Sequence, residues 1–175
     1  MQRFYRTIVT IALSMLTTLP CAADRHKYDL GGKWNFRQSS SSQWHTAIVP
    51  GQVHTDLLAA GLIEDPYYGS NEKRLQWVGE KDWEYRRDFT LTGADLDFAN
   101  IDLVLEGIDT YAEVYINDYP LRQCDNMFRT WKVNARQYLR EGENTLRIYF
   151  HSVFKVDIPK YLKAPFRLQA WPNND

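Results

Sequence analysis

From residue 28 onward, apolar and polar positions mostly alternate, interrupted every few residues by turn formers, which predicts an all-β domain of short strands. Residues 28–37 (YDLGGKWNFR) predict the first strand, with Leu30, Trp34 and Phe36 on its inward face. The serines at 39–42 make a polar turn, and residues 43–49 predict a second strand that Pro50-Gly51 ends. Residues 53–60 (VHTDLLAA) carry the one helical pattern: Val53, Leu57 and Leu58 share a face, and Gly61 is placed to cap the C-terminus. In residues 83–91 (WEYRRDFTL), Trp83, Tyr85, Arg87 and Phe89 alternate with Glu84, Arg86 and Asp88. Residues 101–105, 112–116, 131–133 and 144–151 predict the remaining strands. Asn117-Asp118 sits at a tight hairpin turn, and Glu141-Gly142-Glu143 turns the chain into the last strand. Beyond residue 153 the alternation stops. Pro159, Pro165 and Pro172 predict an extended arm over 153–175, so the sandwich is expected to be incomplete at its C-terminus.

The first residues follow a different pattern. Arg3 and Arg6 precede an apolar run over 8–19, too short to span a bilayer, and the small-residue site Cys21-Ala22-Ala23 follows. This predicts a signal peptide over residues 1–23, cleaved after Ala23, and a periplasmic or secreted mature chain with no membrane attachment. An uncleaved anchor and lipid modification of Cys21 are the alternative readings. The domain proper then covers 24–152 and holds one cysteine, Cys124, which excludes an internal disulfide or zinc ligation by paired cysteines.

Composition narrows the function classes. A net charge of -1, without a basic stripe, argues against nucleic acid as a partner. The four histidines lack metal-ligand spacing, and there is no Gly-rich phosphate loop or dinucleotide fingerprint, so no metal and no cofactor is expected. Aromatic residues reach 14% of the chain, and such rings can either fill a core or stack on sugar faces. They concentrate at 64–82 (EDPYYGSNEKRLQWVGEKD), where rings and planar polar groups alternate. Tyr67, Tyr68 and Trp77 could supply sugar-stacking faces there, while Asn71, Glu72 and Arg74 could supply hydrogen-bond partners. Equally, these rings could pin a long loop to the sandwich. The substrate-binding candidates are Asn71, Glu72, Trp77 and Tyr68. Glycoside hydrolysis needs two carboxyl groups about 5 to 9.5 Å apart. The carboxylates here are numerous and unremarkable, reading as solvated loop residues, so no catalytic residue is assigned.

The segments PGQVHTDLLAAGLIEDPYYGSNE (50–72) and QWVGEKDWEYRRDF (76–89) closely resemble the N-terminal domain of β-mannosidases among the family two glycoside hydrolases. LVLEGIDTYAEVYIND (103–118) and DNMFRTW (125–131) resemble the same family's paired core strands and NMF segment, in order and with matching gaps. The resemblance implies a jelly-roll β-sandwich of the galactose-binding-like type, preceding immunoglobulin-like domains and a (β/α)₈ barrel. In that family the acid/base and nucleophile are glutamates of the barrel, which this chain does not contain. It also lacks the family's WDWGP segment.

The resemblance therefore implies a non-catalytic sugar-binding module of an exported exo-β-mannosidase, which removes terminal non-reducing β-D-mannose with retention. Its expected partners are β-mannosides or manno-oligosaccharides and the remaining domains of the parent enzyme. The alternatives are a freestanding lectin-like protein and a non-functional remnant.

Overall fold

The computed structural model describes residues 26–166, so the leader and the tail from 167 lie outside the described residues. The described residues hold eight strands: β1 (Gly32–Gln38), β2 (His45–Val49), β3 (Trp83–Leu91), β4 (Asp102–Leu105), β5 (Ala112–Ile116), β6 (Tyr119–Cys124), β7 (Trp131–Asn134) and β8 (Gly142–Phe150). Six of them form a sheet in the order β2-β1-β3-β8-β5-β6, and β4 pairs with β7 in a second sheet. Every pairing is antiparallel. One hydrophobic cluster joins the two sheets: Phe36, Tyr85, Val114, Ile116, Leu146 and Ile148 from the larger, Leu105 and Trp131 from the smaller. Each such side chain contributes roughly 1.5–3 kcal/mol on burial. The fold is therefore an all-β antiparallel sandwich, as the strand pattern predicts.

Alternation explains most of the strands. In β5, Ala112, Val114 and Ile116 are buried, while Glu113 and Tyr115 stay partly exposed. β8 repeats this with Asn144, Leu146 and Ile148. In β3 the expected inward residues Trp83 and Tyr85 are buried, but so is Glu84, at 7% exposure on the opposite face. Its carboxylate lies 2.8 Å from the Arg37 guanidinium, which stacks 4.4 Å over the ring of Trp44. Pairing is what makes burial of that charge tolerable.

Asn117 and Asp118 both take positive φ, +50° and +66°, and reverse the chain between β5 and β6 as expected. Asn117 Nδ2 donates to the carbonyl of Tyr138 (2.8 Å) and to Asn144 Oδ1 (2.9 Å), and its own Oδ1 accepts from the amide of Thr145 at 2.9 Å. Asn144, fully buried, donates in turn to the carbonyl of Arg140 at 2.7 Å.

Helix α1 (Val53–Ala59) matches the expected span. Leu57 enters the core, whereas Leu58 is exposed, because consecutive helical residues do not face the same way. Gly61, at φ +69°, ends the helix in a Schellman arrangement: Leu62 N–H reaches Leu57 O (2.9 Å) and Gly61 N–H reaches Leu58 O (3.0 Å). Asp56, on the same helix, is buried and accepts from the Tyr85 hydroxyl (2.8 Å) and the Ile48 amide (3.1 Å). Burial and that hydrogen bond push the Tyr85 phenol strongly upward. Burial likewise raises the thiol of Cys124, at the end of β6.

Two further helices go beyond the single one expected: α2 (Asn71–Arg74), one turn long, and α3 (Val153–Lys163). The second corrects the extended arm expected over 153–175 as far as Lys163, and residues 167–175 lie outside the described residues. Pro159 sits inside α3 and removes a helical hydrogen bond, a cost of about 3 kcal/mol in an unsupported helix. Tertiary anchors on both sides of it offset that cost. Ser152 caps the N-terminus through Oγ, Lys155 Nζ meets Asp82 at 2.8 Å, Asp157 accepts from the Tyr111 hydroxyl at 2.6 Å, and Lys160 lies 4.4 Å over the Tyr111 ring.

The register places one row of residues across an end of the larger sheet: Gln38, Trp83, Phe150, Ala112 and Cys124 are successive partners. The segment that leads into β3, the 106–111 connection, the 125–130 loop and α3 all join the sheet at this end. The loop of interest therefore lies beside α3.

Candidate functional site

The loop over 64–82 is built by its own backbone. Asp65 Oδ1 accepts from the Tyr67 amide (2.9 Å), and its carbonyl accepts from the Tyr68 amide (3.2 Å). Gly69, at φ +60°, then turns the chain back toward α2. The Asn71 side chain is 5% exposed: Nδ2 donates to the Asp65 carbonyl at 2.8 Å, and Oδ1 accepts from the Arg74 guanidinium. Arg74 also meets Glu64 Oε2 at 2.6 Å, closing the loop across ten residues. A 3₁₀ turn, Gln76–Val78, follows and buries Val78, whose carbonyl accepts from Trp83 Nε1 at 3.0 Å.

This chain path leaves an open depression of about 500 Å³ walled by Glu64, Asp65, Tyr68, Ser70, Asn71 and Arg74. A smaller one, about 260 Å³, lies among His54, Pro66, Glu72, Leu75, Gln76 and Phe154. Of the four candidate residues, Tyr68 and Asn71 line the first depression. Glu72 lines the second. Trp77 packs against the core, its ring centroid 6.3 Å from that of Trp83. Glu64, read from the sequence as a solvated loop carboxylate, becomes a wall of the larger depression, and Ser70 joins it without having been singled out. Both places follow from the reversal at Gly69, which no spacing rule in the sequence encodes.

Several other carboxylates are held by structural partners. Asp82 accepts from the Ser152 amide (2.7 Å), Tyr149 (3.1 Å) and Lys155 (2.8 Å). Burial opposes its ionisation, yet these donors outweigh burial and hold the carboxyl below the usual carboxylate range. Glu113 is lowered too, first by the Tyr115 hydroxyl and then by His151, whose Nε2 lies 2.9 Å away. Among the described residues, no group of three or more His, Cys, Asp or Glu side chains is placed to hold a metal ion.

The 125–130 loop opens from the same end of the sheet. Asn126 organises it, accepting from the Phe128 amide (2.9 Å) and from Trp131 Nε1 (3.3 Å), and Arg122 and Arg129 lie 4.8 and 4.9 Å from the Trp131 ring. Phe128 itself projects outward, 90% exposed.

Residues 34–175 match the family model for the glycosyl hydrolase 2 galactose-binding domain-like domain. The "Probable beta-mannosidase" of Caenorhabditis elegans is 37% identical over 127 residues, which are 73% of this chain and 14% of the worm protein. The β-mannosidase of Rattus norvegicus is 32% identical over 132 residues, 75% of this chain and 15% of the rat protein. The crystal structure of β-D-mannosidase from Dictyoglomus thermophilum superposes with a TM-score of 0.79 at 40% identity, covering 82% of this chain and 18% of that one. The chain thus spans less than a fifth of the length of these relatives. It belongs to the glycosyl hydrolase 2 galactose-binding domain-like family and corresponds to the N-terminal domain of β-mannosidase-like enzymes.

Proposed function

We propose that the chain is the non-catalytic, sugar-facing module of an exported exo-β-mannosidase, in which glutamates outside these residues hydrolyse terminal β-D-mannose with retention. The observation that carries this reading is the likeness to β-mannosidases at 32 to 40% identity over about three quarters of the chain or more. The non-catalytic role is supported by the carboxylates themselves. Asp56, Asp82, Glu84 and Glu113 each accept hydrogen bonds from partners within the sandwich, and none of them lines either depression.

The partners are β-mannosides or manno-oligosaccharides on one side and the catalytic domains of the parent enzyme on the other. Tyr68 faces the sugar, Asn71 and Trp77 hold the loop in shape, and Glu72 faces the neighbouring depression. The leader over 1–23 directs the product to the periplasm or the medium.

A domain replacement tests the reading. The matching N-terminal segment of the Dictyoglomus thermophilum enzyme is exchanged for residues 24–166, and hydrolysis of an aryl β-mannoside is measured beside the isolated chain. The expected result is an active chimera and an inactive isolated chain. A folded but inactive chimera, or hydrolysis by the chain alone, overturns the proposal.

A further inference from the structure

We infer that the depression walled by Glu64, Tyr68, Ser70 and Arg74 is a subsite for one neutral pyranose ring bearing adjacent hydroxyls, a β-mannoside in the context of the function proposed above, on which the choice of sugar rests. Its volume, about 500 Å³, falls within the range of small-ligand sites.

Tyr68 is 78% exposed, so its ring adds little to the core, yet its backbone is fixed on both sides. Its amide donates to Asp65 O at 3.2 Å, and its carbonyl accepts from the Asn71 amide at 3.2 Å. The backbone beneath the ring therefore needs no reordering on binding. A β-mannopyranoside carries its axial hydrogens at C1, C3 and C5 on one face and its axial hydroxyl on the other. The first face is the apolar one that an aromatic ring stacks on.

The edge of the sugar meets Arg74 and Glu64. Both contacts of Arg74, to Glu64 and to the buried Asn71, leave from Nη2, so the Nε and Nη1 hydrogens remain as donors. Glu64 uses Oε2 and keeps Oε1 as an acceptor. A donor and an acceptor side by side match two neighbouring hydroxyls, of which one accepts from Arg74 and the next donates to Glu64. The pair is mostly solvent-exposed, with side-chain exposures of 64% and 72%, and an ion pair in that setting contributes little to stability. With Glu64 and Asp65 facing a single Arg74, the walls carry a net negative charge, which disfavours a sugar carboxylate.

Titration of the 15N-labelled chain with methyl β-D-mannoside, and in parallel with methyl β-D-glucuronide, tests the subsite. The mannoside is expected to move the amides of residues 64–74 and to saturate in the millimolar range, while the glucuronide leaves them in place. Tyr68→Ala is expected to weaken mannoside binding about tenfold. Glu64→Gln weakens it severalfold, and Tyr67→Ala, on a ring 97% exposed and outside the depression, less than twofold. The spectrum of each variant outside the loop reports directly that the sandwich is folded. Shifts confined to residues 54, 72, 76 and 154, unchanged affinity in Tyr68→Ala, or no shift at saturating mannoside would each overturn the subsite. The chimera experiment reads the module role and not the Tyr68 contact, so those results withdraw only the placement of Tyr68 against sugar and leave the module reading standing, whereas an inactive chimera removes that reading and with it the choice of sugar.

Discussion

At one end of the sandwich, Asn117, Tyr138, Arg140 and the buried Asn144 are joined in a hydrogen-bond network behind a two-residue turn. At the other, Tyr67, Tyr68 and Phe128 stand 97%, 78% and 90% exposed on loops whose backbones are nevertheless fixed by Asp65 and Asn126. Both ends are ordered by side-chain carboxamides and carboxylates that hold backbone groups. They differ in what the order is for. The closed end consumes its hydrogen-bonding capacity internally and secures β5, β6 and β8. The open end spends a few bonds on shape and leaves large rings and an exposed ion pair facing outward, which adds almost nothing to folding.

Substitutions should therefore separate the two ends. Asn144→Ala strands the donors and acceptors it serves, and is expected to lower the unfolding free energy by about 3 kcal/mol in urea denaturation. Tyr85→Phe removes one hydrogen bond from the buried Asp56 and should cost about 1–2 kcal/mol in the same measurement.

Acid tests an anchor at the open end, between the start of β3 and α3. Asp82, which ties β3 to the start of α3, has a folded pKa below its ordinary value. The stability it contributes is complete above the ordinary carboxylate range and is lost as pH falls through the lowered folded value. Glu113 acts with the same sign. Unfolding free energy is expected to be level near neutrality and to fall below about pH 4, with a shallower acid limb in Asp82→Asn. The smallest effect belongs to the open end: Tyr67→Ala and Tyr68→Ala should each change stability by less than about 0.5 kcal/mol.

The strands were legible because β1, β3, β5 and β8 each bury one face, and a half-buried strand writes its period into the sequence. Glu84 escaped that reading because its burial depends on Arg37, 47 residues away. α3 was hidden by Pro159 and the prolines that follow the helix, which dominate a local reading, while the contacts that offset Pro159 come from Asp82 and Tyr111.

In the candidate site, composition located the loop without resolving its interior. Asn71 and Glu72 are neighbours in sequence but lie on a helical turn, where adjacent residues point in different directions, so they line different depressions. Trp77 and Tyr68 are both aromatic loop residues. A 3₁₀ turn carries the first onto Trp83, and the turn at Gly69 leaves the second in the open.

With the proposed subsite, the open end recognises sugar while the closed end maintains the fold. The most direct test of this division measures two quantities on one variant, Tyr68→Ala: affinity for methyl β-D-mannoside and unfolding free energy. The expected result is about a tenfold loss of affinity with stability within about 0.5 kcal/mol of the parent chain. A parallel loss of both, or an unchanged affinity, would contradict the division.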